Sequence, residues 1–304
     1  MIVEEILKNE DKLRENLTFT INNPLYKLAS LYWRPEIYGV ENIPNNRAVI
    51  VANHSGTLPM DGIWLNTQIF KASGKTTYFM AHKIYANQKW IHELGMILGE
   101  RETALELLRR DKRVGVFPGG DDDLFKPSWN RYKVQEVKGF SWQYGGYLTT
   151  ALATESPIVP VAVIGLEEIH YNLANTKFLL KEISSQFGLD KAFDTKFLDH
   201  IGVWPIPLLT PPLPSKITIL CGKPMNVIED YPDFDYELFR EYLMIEKEKG
   251  ITRLELTEMR NKIFNVNKKV RSRLQAMIDL ALEKRVGMTI NSKIVQPEFI
   301  TNLE

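Results

Sequence analysis

From residue 36 onward, short runs of apolar, mostly β-branched residues alternate with longer stretches whose apolar positions recur every three or four residues. The first pattern suits strands and the second amphipathic helices. It predicts strands at 36–40, 47–52, 76–81, 113–117, 157–164 and 216–221, with helices near 59–72, 85–94, 102–110 and 139–153. Gly95 and Gly99 flank a further short apolar run, MIL, that suits a tightly packed strand. Alternation of this kind predicts an α/β fold with a mostly parallel central sheet flanked by helices. Ahead of it, residues 4–18 predict one charged amphipathic helix, and LYKLASLYWRP follows Asn22-Asn23-Pro24. Rich in large apolar groups, that segment suits either an interfacial helix with Lys27 and Arg34 snorkelling, or a core helix.

Residues 166–214 interrupt the alternation with two or three helical stretches and then the run GVWPIPLLTPPLP. Its prolines, Pro205, Pro207, Pro211, Pro212 and Pro214, forbid a helix or a central strand. The run is either packed on the core or dipped into lipid. From about Tyr231 the chain reads as helical, and Met259, Ile263, Val266, Val270, Leu274, Met277 and Ala281 form one apolar stripe. Lys268, Lys269, Arg271 and Arg273 crowd the same helix, which either docks on the domain with a solvated basic face or touches anionic lipid. The expected organisation is an N-terminal helical segment, 1–34, a domain at 35–230 carrying the insertion 166–214, and a C-terminal helical extension at 231–304.

Composition narrows the function classes. The 304 residues are 44% hydrophobic and 25% charged, an ordinary globular balance, and the formal net charge of zero argues against a dedicated nucleic-acid binder. A single cysteine, Cys221, rules out an internal disulfide framework and fits a reducing compartment. The N-terminal stretch is too charged for a secretory signal, and no uncharged run reaches the roughly 18 residues that suggest a membrane-spanning helix. The expected location is therefore cytoplasmic, with peripheral membrane association left open.

Candidate chemistry clusters where strands end. The run 48–52 stops at Asn53-His54, and Ser55-Gly56-Thr57 opens a turn, so His54 stands at a carboxyl end, where open α/β sheets place their sites. Pro59 suits the first position of the next helix and Asp61 falls in its first turn. Gly56 and Pro59 let the chain fold back until the carboxylate reaches the imidazole. That pairing makes a histidine able to take a proton, with an aspartate fixing its tautomer; a satisfied structural histidine is the other reading. Arg101 emerges after GMILGE as a guanidinium fork for a phosphate or for a neighbouring carboxylate. Phe117-Pro118-Gly119-Gly120 closes another strand, and its glycines let backbone approach a ligand. Beyond it Lys126, Arg131, Lys133 and Lys138 interleave with Trp129, Tyr132 and Trp142. In a neutral chain, phosphates of a nucleotide-bearing cofactor or a lipid headgroup suit them better than nucleic acid. Asp121, Asp122 and Asp123 suit a solvated turn better than a metal site. No Gly-x-Ser-x-Gly elbow occurs, and Ser73-Gly74-Lys75-Thr76 lacks the leading glycine of a phosphate loop because residue 69 is Ile. His82, His92, His170 and His200 have no metal-ligand spacing with one another.

Together these residues resemble the four ordered blocks of the phospholipid/glycerol acyltransferase family, the PlsC-like domain. The blocks are Asn53-His54 with Asp61, Gly-x-Ile-x-x-x-Arg ending at Arg101, Phe-Pro-Gly-Gly at 117–120, and Val-Pro-Val at 159–161; the likeness covers roughly residues 30–225. It implies acyl transfer from a thioester to a hydroxyl, with His54 as general base and Asp61 orienting it. It further implies that Arg101, Phe117, Pro118, Gly119, Gly120 and Lys138 bind substrate. No bound cofactor or metal is implied. The implied donor is acyl-CoA or an acyl carrier protein, the acceptor a glycerolipid, and the place of work a membrane surface. Two features depart from the common pattern: six residues separate His54 from Asp61 instead of four, and Gly119 stands where the third block usually has glutamate. Both resemble a branch related to diacylglycerol and monoacylglycerol acyltransferases, whose acceptors are neutral lipid alcohols. Lysophospholipid acylation is the second expectation, and a non-catalytic lipid-binding protein on the same scaffold the third.

Overall fold

A computed structural model describes residues 2–54, 60–81, 89–119, 126, 128–134, 146–169, 212–230, 239 and 253–288. Strands β1 (Glu36–Tyr38), β2 (Ala48–Ala52), β3 (Tyr78–Ala81), β4 (Met96–Leu98), β5 (Arg113–Val116), β6 (Ile158–Ile164) and β7 (Thr218–Cys221) form one sheet. Their order is β1-β7-β6-β2-β5-β3-β4. Every pairing is parallel except that of β6 with β7. Ile164 faces Thr218, so the long connection leaves and re-enters the sheet at the same end, and β7 must run back.

The helices are α1 (Ile2–Lys8), α2 (Glu10–Asn22), α3 (Pro24–Trp33), α4 (Met60–Ser73), α5 (Lys89–His92), α6 (Arg101–Arg109), α7 (Gly146–Ala153), α8 (Val227–Asp230) and α9 (Arg253–Met288). The single helix expected at 4–18 is two helices broken at Asn9, whose side-chain amide donates to the Glu5 carbonyl at 2.9 Å. Such local bonding by asparagine competes with helix continuation.

All five residues of β2 are buried. Val49 and Val51 face one layer, with Leu13, Leu17, Leu107, Leu148 and Val270 from α2, α6, α7 and α9. Ala48, Ile50 and Ala52 face the other, with Ile63, Trp64, Leu65 and Ile69 of α4. A sheet covered on both faces reads as continuous apolar runs, which is why 48–52 and 158–164 carry so few polar groups. The apolar stripe of α9 is buried at Ile263, Val266, Val270, Leu274 and Met277, while Lys268 and Lys269 are exposed. Its far end reaches the carboxyl end of β6, where Arg285 donates to Glu168 at 2.5 Å. Burial works to raise the Glu168 pKa, but bonds from Tyr132, Arg285 and Ser215 outweigh it and hold the carboxyl below its usual value.

One face of 24–33 packs on the core and the opposite face is exposed. Tyr26 is buried against Trp64 with ring centroids 5.1 Å apart, whereas Leu25, Leu28 and Leu31 are 76%, 63% and 76% exposed.

One close approach sets the interior beside the site. A Cβ on Gly115 of β5 would lie 2.4 Å from the Phe79 ring. Gly115→Ala is therefore expected to destabilise the fold by about 1–3 kcal/mol through overpacking, read as a lower urea midpoint with an unchanged m value.

Candidate active site

The connection leaving β2 runs through α4 on one face of the sheet, and the one leaving β5 reaches β6 through α7 on the other. Adjacent parallel strands whose connections part in this way open a crevice at their carboxyl ends, the usual ligand position in open α/β sheets. His54 stands at the end of β2 and Phe117 at the end of β5.

His54 pairs through Nδ1 with Oδ2 of Asp61. The side chains are 14% and 3% exposed, so the pair is largely shielded from water. The other Asp61 oxygen accepts the Gly62 backbone N–H at 2.7 Å, fixing the carboxylate in the first turn of α4. An Nδ1–H given to a carboxylate leaves Nε2 as the basic nitrogen of the ring. Phe117 lies flat on the imidazole, with centroids 4.5 Å apart and planes inclined by 17°. Phe117 in turn stacks on Phe79 at 5.6 Å. Glycines make room for this column: Gly115 admits Phe79, and a Cβ on Gly62 would come within 3.0 Å of Met96 Sδ and 3.3 Å of Phe117.

Of the residues named from sequence, Asp61 and Phe117 each contact His54. Pro118 and Gly119 follow Phe117 directly and are buried. Arg101 begins α6 at the end of edge strand β4, three strands from β2, roughly 14 Å away by strand spacing. It shares the carboxyl edge of the sheet with His54. Gly120 and Lys138 lie outside the described residues, as do the amides of 55–59. The Phe117 ring, expected from the sequence to meet substrate, also contacts the His54 imidazole. Asn53, which ends the strand and precedes His54 in the first block, is 1% exposed and bonds through both side-chain polar atoms to the Val163 backbone.

Two other features stand apart from the crevice. A cavity of ≈ 350 Å³, lined by Lys12, Asn16, Tyr78 and His92 among others, lies between α1, α2 and the starts of β3 and β4. Cys221 is fully buried, and burial pushes its thiol up, so it is an inert core residue. Among the described residues no helix is long and apolar enough to cross a membrane.

An imidazole oriented by a carboxylate has the chemistry to accept a proton. The model of the family described as Acyltransferase matches residues 34–164 of the chain. Proteins of Mycobacterium tuberculosis and Mycobacterium bovis that are themselves uncharacterised are each 33% identical over 223 residues, 71% of this chain and 58% of theirs. The chain thus spans under three fifths of the length of these mycobacterial relatives. A human protein named as a DGAT1/2-independent enzyme synthesising storage lipids is 21% identical over 69% of this chain and 64% of its own length. Among solved structures, the 1-acyl-sn-glycerophosphate acyltransferase PlsC of Thermotoga maritima is similar at 19% identity and a TM-score of 0.43, covering 87% of this chain and 80% of that one.

Asp61→Asn keeps the shape of the pair and removes the charge that balances an imidazolium. Any turnover that uses His54 as a base is expected to fall by about 10²–10⁴-fold with substrate KM little changed, measured by steady-state kinetics on the folded variant.

Proposed function

We propose that the protein is a lipid O-acyltransferase that moves a fatty acyl group from acyl-CoA, or from an acyl carrier protein, to the hydroxyl of a neutral glycerolipid. The observation that carries this reading is the His54–Asp61 pair, buried against Phe117 in the switch-point crevice. A protein that only binds lipid has no need of it. In the reaction, His54 Nε2 takes the acceptor hydroxyl proton as the oxygen attacks the thioester carbonyl. The tetrahedral intermediate collapses, the C–S bond breaks, and the thiolate leaves with the proton from the imidazolium. An ester and a free thiol result. A positioned base supplies about 10²–10⁴ in rate. Asp61 stabilises the transient cation, and Phe117 confines the ring to one plane.

The acceptor class rests on Gly119. Glutamate at that position would give a carboxylate acceptor for a polar headgroup, and glycine offers none. The similarity to a protein named for storage-lipid synthesis supports a neutral acceptor as well. Arg101 has the chemistry to hold a phosphate of the donor; if the acceptor is instead a lysophospholipid, the same fork takes its phosphate.

Such substrates reside in membranes, and α3 offers a surface for peripheral contact. Leu25, Leu28 and Leu31 project outward beside Phe19, which is 70% exposed, and the charged residues of 24–34 are the cations Lys27 and Arg34. Each such side chain contributes about 1.5–3 kcal/mol on leaving water, enough for reversible attachment to an anionic bilayer. The helix adjoins the site: Trp33 and Tyr26 both pack on Trp64, one turn beyond Asp61.

Two experiments test the proposal. Thiol release from acyl-CoA is expected to require a monoacyl- or diacylglycerol and to vanish in His54→Ala. Dependence on lysophosphatidic acid would transfer the reading to lysophospholipid acylation, and activity surviving in His54→Ala would sink the mechanism. In cosedimentation with phosphatidylglycerol-containing vesicles, Leu28→Glu with Leu31→Glu is expected to weaken binding by at least about tenfold; unchanged binding would remove α3 as the contact.

A further inference from the structure

We infer that Asn53 is the positioning residue that sets the geometry of the His54 base, an inference that rests on the acyl-transfer reading above. The parallel ladder of β2 with β6 ends at the pair Ala52–Val161. One residue further on, the chain does not continue as strand. The Asn53 carboxamide takes over instead: Nδ2 donates to the Val163 carbonyl at 2.9 Å, and Oδ1 accepts the Val163 N–H at 2.8 Å.

This side chain thus stands in for one more residue of strand. It satisfies both polar groups that Val163 turns toward β2, while the backbone of β2 is released to bend away at His54. The two bonds fix the residue next to the base against a platform 110 positions away in sequence. That platform is itself held. Two residues beyond Val163, the Gly165 N–H donates to the Tyr132 hydroxyl at 3.0 Å. The same hydroxyl donates to Glu168 at 2.5 Å, and Arg285 of α9 donates to that carboxylate too. Among the described residues, Asp61 on the imidazole Nδ1 and Phe117 on its face orient the ring, and Asn53 on its backbone sets where the ring begins.

The chemistry demands asparagine. Position 53 needs one donor and one acceptor on a short side chain, and it is 1% exposed, so an unmade bond cannot be replaced by bulk water. An aspartic acid in its protonated form supplies the same donor and acceptor. As a carboxylate it supplies only acceptors and turns charge toward the Val163 carbonyl. Burial raises the pKa of such a carboxyl, bringing its titration toward neutral pH.

The test uses the full chain and compares Asn53→Asp, Asn53→Leu and His54→Ala with the wild type across the pH range in which the wild type is active. The kcat of Asn53→Asp divided by that of the wild type is expected to approach one at the acidic end and to fall by about 10–100-fold at the alkaline end. Acceptor KM is expected to stay constant. Asn53→Leu is expected to be impaired at every pH, with kcat expressed per folded enzyme from thermal-melt and circular-dichroism controls. A residue that only stabilised the fold would change the folded fraction and leave kcat per folded enzyme independent of pH. A pH-independent ratio for Asn53→Asp, or wild-type kcat in Asn53→Leu, overturns the inference when His54→Ala is inactive. Activity retained in His54→Ala overturns the acyl-transfer reading and this inference with it.

Discussion

The ladder that holds β2 between β5 and β6 is the constraint on which the rest depends. A strand buried on both faces must have its backbone paired along its whole length, because an orphaned amide in that interior costs as much as a lost hydrogen bond. Both neighbours run parallel to β2, so their connections must cross over the sheet, and they do so on opposite faces with α4 and α7. The crevice at the carboxyl end is a consequence of that crossing. So is the place where β2 must let go of its ladder, and His54 stands at that point.

Packing and chemistry meet in one column of rings. Phe79 belongs to the core between the sheet and α4, Phe117 rests on it, and the imidazole rests on Phe117. The imidazole is thereby coupled to the interior through the ring stack. Asp61 is fixed by the same logic, since Ile63, Trp64 and Leu65 on the next turn are buried in that layer. Trp64 then meets Tyr26 and Trp33, so the outward-facing leucines of α3 belong to a helix one layer removed from the carboxylate.

The C-terminal helix contributes from a distance. Leu274, Met277 and Ile278 pack with Ala162 and Ile164 of β6, and Gln275 receives the Val134 N–H at 2.7 Å while donating to the Tyr132 carbonyl at 2.9 Å. Lys126 and Glu167 form a buried pair at 2.8 Å in the same region. Removing one partner of such a pair strands a charge in the interior, so the pair ties the segment after Phe117 to the end of β6. The carboxyl edge of the sheet is held from both the middle and the end of the chain.

Much of this was legible in the chain itself. Apolar runs marked the strands because two-sided burial leaves a continuous signal, and Gly56 with Pro59 indicated that Asp61 could turn back to His54. What could not be read were relations between residues far apart in sequence. The reversed direction of β7 follows from where a long connection re-enters the sheet, and the stacking of Phe117 on His54 from cross-strand register and the absence of side chains at Gly62 and Gly115. The bonds of Asn53 to Val163 follow from the parallel pairing of two strands separated by three others in the chain. Local pattern thus determined which residues form strands and which side chains are able to move a proton. Tertiary structure alone decided how that proton-moving group is held, because hydrogen bonds and ring contacts depend on distances in space that no spacing along the chain encodes.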